Sequence, residues 1–186
     1  FLAAAWASPP PAAIALAARA EAPVWEGAAA LARRVNQEPL FHHFVASRFP
    51  NAPLRPETML DLENQSRFHA FRWEEIRDAA HAVLDALGSQ SICPVLLKGI
   101  SQVGERYDPP CLRPMRDVDL LVKPGDVDSA QEAAAEAGFV PDPARHPAEK
   151  YRRHHHLPPL FHRETGVCLE IHHHLLKLPE HFEGFP

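Results

Sequence analysis

Arg113-Pro-Met-Arg-Asp-Val-Asp-Leu-Leu-Val122 is the stretch on which the reading of the fold turns. On an extended backbone, residues two apart point to the same face. From Met115 to Val122 one face therefore carries Met115, Asp117, Asp119 and Leu121, and the other carries Arg116, Val118, Leu120 and Val122. Two carboxylates side by side on an otherwise apolar strand repel each other and lose their hydration. A divalent cation relieves both penalties, so Asp117 and Asp119 read as half of a magnesium site. The plainer alternative is an Asp-x-Asp on the solvent face of an edge strand.

Working outward, Ile92–Leu97 is β-branched and leucine-rich and reads as a buried strand. Lys98-Gly99 follows where the strand should turn into a short helix over Gly99–Tyr107, which Pro109-Pro110 ends. A helix N-terminus offers unpaired N–H groups to a phosphate, Gly99 allows close approach and Lys98 adds charge. The same dipeptide also serves as an ordinary turn. Arg113 and Arg116, just before the Asp pair, are placed to neutralise phosphate charge or to pair with surface acids.

Downstream, Lys123-Pro-Gly-Asp126 stops the strand. Asp126 fits the N-cap of a helix through Ala137, closed by Gly138. Phe139-Val140 is extended and 141–148 is loop. Tyr151–Phe161 and Val167–His173 then read as a hairpin, with Gly166 at the left-handed position of its turn. On the second strand Cys168, Glu170 and His172 share a face, with Val167, Leu169 and Ile171 on the other. Glu170 thus supplies a third carboxylate, or is simply an exposed strand glutamate. Asp117, Asp119 and Glu170 together suit two Mg²⁺ ions roughly 3.5–4 Å apart, one activating a hydroxyl and one holding a triphosphate. His172, beside Glu170, is placed to contact nucleotide or acceptor.

Two histidine triplets, His154-His155-His156 and His172-His173-His174, fall on the two hairpin strands. Alternate members would project to a common face, which suits a transition metal. This supports a rival reading as a His-rich divalent-metal-binding protein.

The first half is helical in pattern. Residues 12–20 form an Ala-rich helix, Glu26–Asn36 a second with Leu31 and alanines on one face, and Pro39–Arg48 a third with Leu40, Phe41, Phe44 and Val45 inward. A long helix opens at Pro56 and ends at Gly88, its apolar positions including Leu60, Phe68, Phe71, Ile76, Ala80, Val83, Leu84 and Leu87. Its aromatic stripe (Phe68, Phe71, Trp73) reads as core. The organisation expected is an N-terminal helical segment, 1–90, and an α/β core, 91–186.

Composition narrows the class. The 186 residues are 46% hydrophobic and 23% charged, the balance of a globular chain with room for a real core. A net charge of −5 and pI near 6.2 give no footprint for long nucleic acid, although Arg145–Arg163 is locally basic. Cys93, Cys111 and Cys168 are odd in number and lack CxxC spacing, which points to a reducing, cytoplasmic setting rather than a disulfide framework. Residues 1–18 are uncharged, but Pro9-Pro10-Pro11 interrupts them and no basic n-region precedes them, so no membrane role is expected. The opening on Phe rather than Met reads as part of a longer product.

Taken in order, Leu96-Leu97-Lys98-Gly99, Tyr107 with its prolines, Arg113, Asp117-Val118-Asp119-Leu120-Leu121-Val122 and Leu169-Glu170-Ile171-His172 resemble the uncharacterised bacterial nucleotidyltransferase-like family of the DNA-polymerase-β-type superfamily. Val24-Trp25-Glu26 through Phe44 is similar to that family's helical lead-in, and the resemblance spans about residues 20–180. It implies an α+β fold with a mixed sheet flanked by helices. It implies Asp117, Asp119 and Glu170 as metal ligands, and Mg²⁺ (or Mn²⁺) and an NTP as cofactors. An NMP would pass to a hydroxyl or phosphate of a small-molecule or peptide acceptor. The superfamily's Gly-Ser turn is replaced here by Lys98-Gly99, and such proteins continue past this chain's last residue. A module that keeps this fold without catalysis is the remaining alternative.

Overall fold

A computed structural model describes residues 10–103, 106–152 and 154–175. The expectations for residues 1–9, and for the chain beyond Leu175, lie outside the described residues. The chain divides into two compact units, Phe1–Trp73 with Gln102–Met115, and Glu74–Ser101 with Arg116–Pro186.

The first unit is helical: α1 (Pro11–Ala18), α2 (Ala22–Arg34), α3 (Glu38–Arg48) and the opening turns of α4 (Pro56–Ser89). Pro23 and Pro39 lie in the first turns of α2 and α3, where a missing N–H leaves no bond unmade. On α2 the buried residues Trp25, Ala28, Ala29 and Ala32 follow the three-four spacing of one helical stripe. Leu31 lies about 100° round the helix from Ala32 and stays exposed, so the alanines form the packed face without it. Leu40, Phe41, Phe44 and Val45 of α3 are buried as their spacing indicates, and Leu62 and Leu112 complete this core. Trp25 packs its ring 5.3 Å from Phe49 and 6.3 Å from Phe41.

Glu26 ties α2 to the start of α4. Its carboxylate accepts the Arg55 backbone N–H at 2.7 Å, the Arg55 guanidinium at 3.1 Å and the Thr58 hydroxyl at 2.8 Å. The Arg55 side-chain and backbone hydrogen bonds, with help from Thr58, lower its pKa to about 2. A carboxylate with a depressed folded pKa stabilises above its unfolded value, and that contribution fades as pH falls through the folded one. Acid unfolding of the wild-type chain should therefore steepen between pH 4.5 and about 2. Glu26→Gln should flatten that limb, which urea melts at stepped pH would read; an unchanged limb would show that the clasp is not formed in solution.

α4 differs from expectation in its middle. Its buried positions fall in two groups, Thr58 and Leu62 near its start and Ile76, Ala79, Ala80, Val83 and Leu87 near its end. Phe68 and Phe71 lie between the groups and are 55% and 64% exposed; Leu60 is exposed too, and Trp73 is partly buried. Helical spacing defines a stripe, but it does not require that something cover it. A 34-residue helix is about 51 Å long, and only its two ends carry buried positions.

The second unit holds a five-stranded sheet in the order β1-β2-β5-β4-β3, from β1 (Val95–Leu97), β2 (Asp117–Leu121), β3 (Phe139–Pro141), β4 (Leu160–His162) and β5 (Cys168–His172). β2 and β5 run parallel and the other pairs antiparallel, giving the mixed sheet expected. α5 (Val127–Glu136) buries Ala130, Ala133 and Ala134. Asp126 occupies its N-cap position without a side-chain capping bond, and Gly138 beyond its end takes a φ of +88°.

Three elements depart from the sequence reading. β1 is an edge strand with Val95 exposed, not a buried one, because only β2 pairs with it. Where a helix over Gly99–Tyr107 was expected, the described residues give a 3-10 turn at Ile100–Gln102 and a bridge from Val103 to Tyr107; residues 104 and 105 lie outside the described residues. The hairpin survives only between Leu160–His162 and Cys168–His172; Ala148–Tyr151 is a 3-10 turn, so the first histidine triplet precedes the strand. Prolines 158 and 159 cannot donate to a ladder and delay its start.

Candidate active site

Register builds the site. In the parallel β2–β5 pair, Val118 lies opposite Leu169, Asp119 opposite Glu170, and Leu120 opposite Ile171. Val118, Leu120, Leu169 and Ile171 are all buried and make the core face. The other face must then present Asp117, Asp119 and Leu121 beside Cys168, Glu170 and His172. Asp119 and His172 are each 1% exposed, while Glu170 and Asp117 are half-buried.

A buried carboxylate needs partners, and Asp119 has two, an ammonium and an imidazole. Its Oδ1 lies 2.5 Å from Lys98 Nζ and 2.9 Å from His172 Nε2. The same two groups reach Glu170 Oε2, at 3.2 Å from Lys98 and 3.5 Å from His172. Lys98 comes from the turn after β1 and holds a left-handed φ of +50°. A non-glycine residue there costs on the order of 1 kcal/mol or more, and strain of this kind concentrates at functional positions.

Titration follows the geometry. Hydrogen bonding from His172, then from Lys98, outweighs burial and holds the Glu170 carboxyl far below its usual range. For His172 burial opposes the charged ring, but the hydrogen bonds to Asp119 and Glu170 prevail and raise its pKa above 6.5. Lys98 is raised in the same way, burial being overcome by Asp119 and Glu170. Burial first, then the charges of Asp119 and Glu170, raises Asp117. Burial and the same carboxylates push the Cys168 thiol up to about 12, so it stays protonated and inert.

Asp119, Glu170 and His172 each offer a ligand atom within 4.8 Å of the others. Two carboxylate oxygens and an imidazole nitrogen form a donor set that fits a divalent cation, and Lys98 Nζ already sits between the two oxygens as a cationic stand-in. Of the three expected carboxylates, the structure gathers Asp119 and Glu170 with His172. Asp117 lies two residues along the same face, opposite Cys168 and outside that group.

The remaining expected residues are placed differently. Gly99 is buried, and the single 3-10 turn after it gives no helix N-terminus of the kind expected to cradle a phosphate. Arg113 belongs to the other unit, where its Nε donates to Gln102 Oε1 at 3.4 Å. Arg116 is exposed at the foot of β2. The two histidine triplets, expected to face one another across the hairpin, do meet: the rings of His155 and His156 each lie 5.1 Å from that of His172, and His156 bridges to His172 through the backbone. The signal was the hairpin turn at Gly166, which takes the expected left-handed φ of +65°.

A helix-flanked mixed sheet that presents carboxylates from neighbouring strands beside a lysine is a polymerase-β-type nucleotidyltransferase fold. More narrowly, the chain belongs to a family of uncharacterised nucleotidyltransferases, whose family model matches residues 21–185. No curated protein and no solved structure matched the chain. Among the described residues no helix is long and apolar enough to cross a membrane, and none of Cys93, Cys111 and Cys168 is joined in a disulfide.

Proposed function

We propose that this chain is the core of a metal-dependent nucleotidyltransferase that moves an NMP from an NTP to a hydroxyl or phosphate of a small-molecule or peptide acceptor, releasing pyrophosphate. The observation that carries this reading is the convergence of Asp119, Glu170 and His172 on one face of β2–β5, in a chain of nucleotidyltransferase family. A divalent cation held there would polarise the phosphoryl oxygens and acidify the acceptor hydroxyl.

The chain's own residues position and neutralise. His172, itself buried, fixes the carboxylate of Asp119 through Nε2. Lys98 is half exposed on a flexible stem, so its ammonium can leave the carboxylates and meet a triphosphate oxygen. Asp117 adds a further carboxylate on the same face, and Arg116 an exposed cation at the foot of β2. Mg²⁺ prefers oxygen ligands, whereas Mn²⁺ tolerates an imidazole nitrogen among them. Mn²⁺ should therefore support binding at least as well as Mg²⁺. The slightly acidic net charge argues against long nucleic acid as acceptor, and an odd number of cysteines without CxxC spacing suits a cytoplasmic setting.

Isothermal titration of each NTP with Mg²⁺ or Mn²⁺ tests the reading, with the Asp117→Asn/Asp119→Asn double variant alongside. Metal-dependent binding of an NTP by the wild-type chain, lost in a double variant of unchanged circular dichroism, is the expected result. Equal binding by both proteins, or none by the wild type, would overturn it.

A further inference from the structure

We propose that His154, His155 and His156 form a second metal site, a nitrogen-donor site for a Zn²⁺-type ion, next to the carboxylate site and distinct from it. On an extended strand three successive side chains alternate faces and cannot converge. Here the chain leaves the Ala148–Tyr151 turn and joins β5 from the His156–His172 bridge and the Leu157 N–H to Ile171 carbonyl bond onward. Across that bend the three imidazoles come together, each with a ring nitrogen within 4.8 Å of the others. His154 Nδ1 and His156 Nε2 stand 3.1 Å apart. Two nitrogens bound at 2.0–2.1 Å to one tetrahedral ion are separated by roughly 3.3 Å, so little movement is needed to share an ion.

The tautomer suits a ligand. His156 Nδ1 lies 2.7 Å from the carbonyl oxygen of Leu157, to which it donates, leaving the Nε2 lone pair directed at His154. A metal-binding histidine characteristically anchors its second nitrogen on a carbonyl in this way. An independent observation points to the same place. The Nδ1 atom of His155, one of the three, is shielded from water without a hydrogen-bond partner. Buried polar atoms are rarely left unpaired, and an orphaned imidazole nitrogen is the kind of vacancy a metal ion satisfies. The donors are imidazole nitrogens, which suit Zn²⁺, Co²⁺, Ni²⁺ or Cu²⁺ and hold Mg²⁺ poorly. This site is therefore separated by ligand chemistry from the oxygen-rich one, and it stands whether or not the chain transfers nucleotides.

The test is Zn²⁺ titration of metal-free full chain, carrying no histidine tag, against a chromophoric chelator. The wild type, Asp119→Asn and the His154→Gln/His155→Gln double variant are compared. One tight equivalent is expected in the wild type and in Asp119→Asn. In the double variant it should weaken beyond the roughly 10–100-fold that losing even an outer partner costs. Electron paramagnetic resonance of Cu²⁺ bound to the wild type needs no variant and should show nitrogen ligands. Absence of a tight equivalent, its persistence in the double variant, its loss in Asp119→Asn, or an oxygen-ligand Cu²⁺ spectrum each overturns the proposal.

Discussion

Asp119→Asn should lower Mn²⁺ affinity by at least roughly 100-fold, and nucleotidyl transfer by on the order of 10³-fold, without unfolding the chain. The side chains are nearly the same size, and an Asn oxygen can still accept from His172 Nε2, so the packing around a 1% exposed position is kept. What disappears is the charge on which both Lys98 and His172 converge, at 2.5 and 2.9 Å. Among the described residues no other side chain can replace it: Glu170 already shares the same two partners, and Asp117 stands outside the three-donor group. Asp117→Asn should accordingly cost less than Asp119→Asn. Free Mn²⁺, counted by its paramagnetic resonance in the presence of each variant, gives the affinities directly. Equal Mn²⁺ binding by wild type and Asp119→Asn would falsify the assignment of Asp119 as a ligand.

Trp25→Ala should destabilise the helical unit by about 3–5 kcal/mol, the range for emptying a buried large aromatic site. Trp25 is 1% exposed and meets Phe41 and Phe49 through its ring, and α1–α3 cannot close over a hole of that size without repacking. Its neighbour Val24 is 49% exposed, and truncating it to Ala should change stability by no more than about 0.5 kcal/mol. Urea unfolding followed by far-ultraviolet circular dichroism would separate the two. Similar midpoints would mean that Trp25 is not the keystone of α2.

Legibility tracked how local each cause was. The burial of Leu40, Phe41, Phe44 and Val45, the stop of α5 at Gly138 and the facing of Asp119 away from Val118 and Leu120 follow from spacing and turn chemistry within a dozen residues. The sharing of a face by Glu170 and His172 was legible for the same reason. The exposure of Phe68 and Phe71 was not, because a stripe does not say where its partner ends. The edge position of β1 depends on strand order, which periodicity cannot supply. The role of Lys98 was half legible: its charge and its turn were visible, but its reach to Asp119 and Glu170 depends on β1–β2 pairing, Leu97 opposite Asp119. The replacement of Asp117 by His172 in the three-donor group likewise depends on the parallel register of β5.

That parallel pair also fixes when the site can come into being. Asp119 and His172 touch across 53 residues of chain, and Lys98 and Glu170 across 72. Loop closure over such separations is entropically slow, and ladders dominated by distant pairings form late relative to local turns and helices. During synthesis β2 has β1 alone to pair with until α5, β3 and β4 have followed and β5 can slot in beside it. Assembly of the carboxylate cluster is thus a late folding event, and a nascent chain ending before residue 168 contains no version of it.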